Sequence, residues 1–160
     1  MTTAIVKTEW IWFDCDGTLV DLYGTKNWLQ DIINESPRPY EVAKPLYNME
    51  NFKIVLQALK SKGYKLGIIS WLAKNPSQEY SKKIRQAKRQ WLKNQGVFEL
   101  FDSVRITKYG IKKSTTCKKY GTGVLVDDEK QNLESWTLGG IIDANKNILE
   151  ELTKLFLKKA

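Results

Sequence analysis

Short apolar runs alternate with amphipathic stretches along the chain, and this alternation predicts strands separated by helices. Trp10, Ile11, Trp12 and Phe13 form an apolar run that ends on Asp14 and reads as a buried strand. Positions 21–50 are irregular, because Pro37, Pro39 and Pro45 interrupt any long helix; Trp28, Leu29, Ile32 and Ile33 suit one short helix within them. Phe52, Val55, Leu56 and Leu59 recur at helical spacing and predict a helix over 51–62, with Gly63 as its stop. Positions 64–70 form a second strand that ends on Ser70. A long helix over 77–95 follows Pro76; Tyr80, Ile84, Ala87 and Trp91 make its apolar stripe, and Lys82, Arg85, Arg89 and Lys93 lie opposite. A third strand is expected over 103–107, a short helix over 115–120, a fourth strand over 123–127, a helical turn over 132–136 and a fifth strand over 139–143. Ile148, Leu149, Leu152, Leu155 and Phe156 then share one face of a closing helix.

Strands that alternate with helices need crossover connections, which gives a largely parallel sheet. The expected fold is α/β: a three-layer, Rossmann-like parallel sheet with helices on both faces. A chain of 160 residues has the length of one domain, in which 21–50 is a short insertion after the first strand. Ligands of such sheets bind at the carboxyl ends of the strands. Those ends carry Asp14, Cys15, Asp16, Gly17 and Thr18 from the first strand, Ser70 from the second, and Asp127 and Asp128 from the fourth. Crowded carboxylates repel one another unless a cation lies among them, and a set of oxygen ligands suits a hard ion such as Mg²⁺. Asp14 and Asp16 are two apart and share a face, so that one carboxylate can attack a substrate atom while the other handles a proton. Cys15, between them, points the other way and belongs to the core. Gly17 permits a sharp turn and close approach to an anion, and Thr18 adds a hydroxyl and an N–H.

Composition narrows the chemistry further. The chain contains no histidine, which excludes Ser-His-Asp and Cys-His catalysis and His-ligated zinc or haem. Its two cysteines, Cys15 and Cys117, are too few for a disulfide framework or a four-thiolate zinc site. No apolar run approaches the roughly 20 residues of a membrane span, and the amino-terminal segment lacks the apolar centre of a signal peptide. The expected location is the cytoplasm, without membrane contact. Twenty-six Lys and Arg against 18 Asp and Glu leave a formal charge of +8, which favours anionic partners such as phosphate esters or nucleic acid. The stripe of Lys82, Arg85, Arg89 and Lys93 reads as a solvated face before it reads as a nucleic-acid contact.

Positions 12–20, from Trp12 through Asp14, Asp16, Gly17 and Thr18 to Val20, resemble the first motif of the haloacid dehalogenase-like phosphatases. Ile68, Ile69 and Ser70 resemble their second motif, and Val124, Leu125, Val126, Asp127 and Asp128 their fourth. The third motif is a lysine upstream of the fourth; positions 109–114 suggest Lys113, with Lys112, Lys108 and Lys118 as alternatives. The resemblance spans about residues 9–143. It implies a two-step phosphoryl transfer in which Asp14 attacks phosphorus while Asp16 protonates the leaving oxygen and later deprotonates water. It implies Mg²⁺ held by Asp14, the backbone carbonyl of Asp16 and the Asp127/Asp128 pair, with Asp128 favoured as the direct ligand. Thr18, Ser70 and the lysine would hold phosphoryl oxygens. The acid at Asp16 is a mark of the phosphatases, since the dehalogenases of the same superfamily lack it.

Trp71 follows Ser70, and Tyr23 and Trp28 lie in the insertion, where this family often carries a cap; these three are candidates for a substrate pocket. Together with Tyr40 and Tyr47 they could stack a base or sugar ring, or make a small satellite core. Positions 123–136 with Gly139 and Gly140 resemble small bacterial and phage phosphatases of the nucleotidase type. A nucleoside monophosphate is therefore the first substrate class. The alternatives are a phosphatase for polynucleotide ends or phosphoproteins, working through an open site, and a non-catalytic module that binds nucleic acid or protein on the same fold. The oligomeric state is not legible in the sequence.

Overall fold

The computed structural model describes residues 8–158; most of the amino-terminal segment read for a signal peptide lies outside them. Five strands, β1 (Trp10–Phe13), β2 (Lys65–Trp71), β3 (Ser103–Thr107), β4 (Gly123–Asp127) and β5 (Ile141–Asp143), form one sheet in the order β3-β2-β1-β4-β5. Every pairing is parallel. The short β1 is central, and Phe13 is in register with Ile68 of β2 and Val126 of β4. The chain therefore leaves β1 beside the ends of both neighbours, which carry Ser70 and Asp127. The helices are α1 (Trp28–Ile33), α2 (Arg38–Val42), α3 (Met49–Ser61), α4 (Gln78–Asn94), α5 (Lys113–Cys117), α6 (Lys130–Ser135) and α7 (Ile148–Leu152). The architecture is Rossmann-like α/β.

Strand alternation sorts the apolar residues of β1, β2 and β4 into two clusters. Ile11, Phe13, Leu66, Ile68, Val124 and Val126 pack with Phe52, Leu56 and Leu59 of α3 and Ile148 and Leu152 of α7. Trp10, Trp12, Ile69 and Leu125 pack instead with Cys117 of α5, Leu133 of α6 and Trp136. Trp10 and Trp12 stack with centroids 4.9 Å apart, and Tyr120 meets both edge-on. Gly67 makes room for this stack, since a side chain there would overlap the Trp12 ring. Burial of each such side chain stabilises the fold by roughly 1.5–3 kcal/mol.

Helix α4 serves two groups of contacts. Tyr80, Ile84 and Ala87 pack with Leu22, Tyr40, Leu72 and Ile106, while Trp91 and Leu92 join the first cluster. Ser77 caps α4 by accepting from the Tyr80 amide, and its own N–H and hydroxyl donate to Glu35 at 2.8 and 2.7 Å. The segment 21–50 is thereby fastened to the start of α4. Its returning segment lies beside the loop after β1, where Asp21 N–H donates to Lys44 O and Leu46 N–H to Leu19 O.

Several boundaries differ from the sequence expectation. Helix α5 begins at Lys113 and passes into a 3-10 turn over Lys118–Tyr120. Strand β5 keeps three residues, although Gly123 and Leu125 N–H already donate to Leu138 and Gly140 carbonyls before it. Helix α7 continues as a wider π-helical turn over Thr153–Leu157. The extra residue per turn changes the phase, so Leu155 is 55% exposed while Phe156 and Leu157 pack on the core. The basic stripe on α4 is not uniformly solvated either: Arg85 is half-buried and donates through Nε to Ile106 O at 3.2 Å. Among the described residues no helix is long and apolar enough to cross a membrane.

Candidate metal and phosphate site

The loop after β1 builds one side of the site. Asp14 N–H donates to Val126 O at 3.0 Å, extending the pairing with β4 by one residue. The Cys15 carbonyl then accepts from the amides of Thr18, Leu19 and Val20 at 3.1, 2.9 and 3.0 Å, which closes a tight turn. Gly17 sits at φ 79°, in the left-handed region, and a side chain on it would run into the Asp128 carboxylate. Cys15 lies in the core as expected, and burial pushes its thiol up to about 12. Cys117 is buried in α5, where burial has the same effect.

Asp14, Asp127 and Asp128 each present a carboxylate oxygen within 4.8 Å of the others. Asp127 is fully buried and engaged on both oxygens: Oδ2 accepts from Lys113 Nζ at 2.6 Å and Asn132 Nδ2 at 3.2 Å, and Oδ1 from Glu129 N–H at 2.9 Å. Lys113 Nζ also pairs with Asp14 Oδ1 at 3.0 Å. Asp128 lies against Asp14 and accepts from the Thr18 hydroxyl at 3.1 Å. Burial, and then the charges of Asp14 and Asp127, push the Asp128 carboxyl up to about 8. Asp127 rises to about 6 through burial and Asp14, with Lys113 working against the rise. Burial opposes the charge on Lys113, but Asp14 and Asp127 outweigh it and hold the ammonium above its ordinary value. Lys113 thus pairs with Asp14 and Asp127, and among the described residues no basic side chain makes an ion pair with Asp128. The three carboxylates fit a hard divalent cation.

A second cluster adjoins the first. Lys88, on α4, is 4% exposed, and its Nζ donates to Asp16 Oδ2 at 2.9 Å, Ser70 Oγ at 2.8 Å and Trp71 O at 2.8 Å. The Tyr40 ring lies against the same ammonium, 5.1 Å away. Burial raises the Asp16 carboxyl, and Lys88 offsets part of the rise. The sequence reading missed Lys88. Its signal was positional: it stands four residues after Ile84 and one after Ala87, inside the apolar stripe. A lysine there is buried only when it finds partners.

Asp14, Asp16, Ser70 and Lys113 line one cleft of about 370 Å³. Lys113 is separated from its alternatives by burial, since it is 2% exposed whereas Lys108, Lys112 and Lys118 face solvent. Thr18 departs from the expected phosphate contact. It is fully buried, its N–H is held by Cys15 O, and its hydroxyl supports Asp128. Trp71, Tyr23 and Trp28 all line the cleft. Tyr23 and Trp28 meet edge-on at 5.0 Å. Trp71 packs at 5.0 Å against Tyr109, a residue the sequence reading missed, and its Nε1 donates to Ile111 O at 2.8 Å. Tyr40 reaches the cleft wall but is buried with the α4 cluster. Tyr47 packs on the main core, with its hydroxyl donating to Lys146 O at 3.2 Å.

The fold and this buried acidic cluster, which could bind a metal ion, stand on the geometry alone. Neither the models of known protein families nor the curated proteins contain a match to the chain.

Proposed function

We propose that the protein is a Mg²⁺-dependent phosphomonoesterase of the haloacid dehalogenase-like type. The observation that carries this proposal is the buried Asp14/Asp127/Asp128 cluster, with Lys113 paired to Asp14 and Asp127, beside a cleft that Asp14, Asp16, Ser70 and Lys113 line. Asp14, Asp128 and the backbone carbonyl of Asp16 would hold the ion, with Asp127 behind them fixing Lys113. Bound there, Mg²⁺ would neutralise charge on the phosphoryl oxygens.

The protein's own residues divide the work. An Asp14 oxygen attacks phosphorus, the ester P–O bond breaks, and the leaving oxygen takes a proton from Asp16. Water then attacks the aspartyl-phosphate and returns a proton to Asp16; the bond between Asp14 and phosphorus breaks and the carboxylate is restored. The balance is ester plus water to alcohol plus phosphate. Ser70 and Lys113 hold phosphoryl oxygens, because phosphoryl transfer depends on position and charge neutralisation more than on elaborate acid–base chemistry. Thr18 acts one step back, by holding Asp128.

The aromatic pairs Tyr23–Trp28 and Trp71–Tyr109 on the walls of the cleft support a planar leaving group, which favours nucleoside monophosphates. In this reading the segment 21–50 forms one wall of the substrate site. The test is phosphate release from mononucleotides, sugar phosphates and a phosphorylated oligonucleotide, with Mg²⁺ or chelator. Metal-dependent release, highest on mononucleotides and lost in Asp14→Asn, is the expected result. Preference for the oligonucleotide would move the substrate to polynucleotide ends. No release from any of them would overturn the activity and favour a binding role.

A further inference from the structure

A buried ammonium contributes little net stability, because its desolvation cancels most of what its partners return. The neighbouring buried positions of the α4 stripe, Ile84, Ala87 and Trp91, are apolar, so packing of the helix does not account for a lysine at 88. An ammonium has three N–H donors, and here Asp16 Oδ2, Ser70 Oγ and Trp71 O take all three at 2.8–2.9 Å. The Trp71 carbonyl is backbone at the end of β2, and α4 is a 17-residue helix packed on two clusters, so both ends of the lysine are rigidly held. Ser70 Oγ accepts from Lys88, which means that the hydroxyl proton of Ser70 cannot point at the ammonium. Among the described residues that hydroxyl has no other hydrogen-bond partner, and Ser70 lines the cleft.

We propose that Lys88 is a positioning residue that acts through two others: it turns the Ser70 proton toward the phosphoryl group and holds the Asp16 carboxyl beside the leaving oxygen. This role presupposes the phosphomonoesterase activity.

The test compares wild type, Lys88→Met and Lys88→Arg on two substrates, p-nitrophenyl phosphate and an alkyl phosphate monoester, with folding checked by circular dichroism. Rates are read as kcat/KM, which stops at formation of the aspartyl-phosphate; nitrophenolate leaves without much help from an acid, so loss on that ester reads the Ser70 share. Excess loss on the alkyl ester reads the Asp16 share. Lys88→Met is expected to lower kcat/KM about tenfold on the nitrophenyl ester and roughly 10²–10³-fold on the alkyl ester, and Lys88→Arg to recover part of both. In a Ser70→Ala background, Lys88→Met should cost the nitrophenyl ester nothing further; in an Asp16→Ala background, the excess loss that Lys88→Met causes on the alkyl ester should vanish. Equal losses on both esters that persist in both backgrounds would overturn the role and leave Lys88 as packing. If Lys88→Met does not fold, Lys88→Gln is read by the same criteria. A wild type without turnover on either ester overturns the phosphatase activity itself, and the Lys88 role with it. Where the wild type turns over both esters, the activity stands and only the variants bear on Lys88.

Discussion

Asp127 and Asp128 are adjacent, yet their surroundings give them different work. Asp127 has both oxygens occupied by Lys113, Asn132 and the Glu129 amide, whereas Asp128 faces Asp14 with a hydroxyl from Thr18. Asp128→Asn is therefore expected to abolish Mg²⁺ binding in a calorimetric titration, while Thr18→Val weakens it about 10–100-fold by releasing the Asp128 carboxylate. The acids also set a pH dependence. Folded Asp128 has its carboxyl raised to about 8, and Asp127 to about 6, above the ordinary 3.8. The native protein keeps protons that the unfolded chain has released, so without metal its stability falls as pH rises from about 4 to 8. Thermal unfolding at pH 6 and pH 9 in chelator should show that fall, and Mg²⁺ should reverse most of it at the higher pH. A thermal midpoint that rises with pH in chelator would contradict the cluster's charge balance. At this scale the acids were legible, because Asp14, Asp16, Asp127 and Asp128 sit where strands end. Lys88 was not, since its partner Asp16 is 72 positions away and only the packing of α4 brings them together.

The elements around the site depend on a few local choices. The loop after β1 turns on Gly17 at φ 79° and passes directly under the Asp128 carboxylate. Gly17→Ala is expected to cost more than about 1 kcal/mol and to lower activity with it, because the backbone conformation and the space both exclude a methyl. Ser77 caps α4, the helix that carries Lys88. Ser77→Ala should cost about 1 kcal/mol, or roughly 2–4 °C in thermal midpoint, by circular dichroism. The stripe and the length of α4 could be read from periodicity. The start of α5 could not: Lys112 and Lys113 look alike in sequence, and the helix begins at Lys113 because Asp14 and Asp127 draw that lysine inward. The phase of the chain after α7 was equally hidden, because a π-helical turn leaves no mark on the apolar spacing.

Over the whole molecule, the alternation of strands and helices was enough to foretell a parallel α/β sheet, and the order with β1 at the centre then brings the ends of β1, β2 and β4 together. The two clusters on alternate strand positions follow from the same pattern. What the pattern does not encode is which face each helix covers, and with it the wall that residues 21–50 lend to the cleft. Mg²⁺ at about 100 times its dissociation constant should stabilise the protein by about 2.7 kcal/mol, a shift of several degrees in the thermal midpoint that Asp128→Asn would lose. The central claim is that Asp14 becomes phosphorylated. The direct measurement is to quench the wild type during turnover of p-nitrophenyl phosphate, reduce it with borohydride and map the peptides by mass spectrometry. An aspartyl-phosphate is reduced to homoserine, so homoserine at position 14, absent without substrate and absent in Asp14→Asn, is the expected result. Steady turnover with Asp14 unmodified, or with the label on another acid, would contradict it.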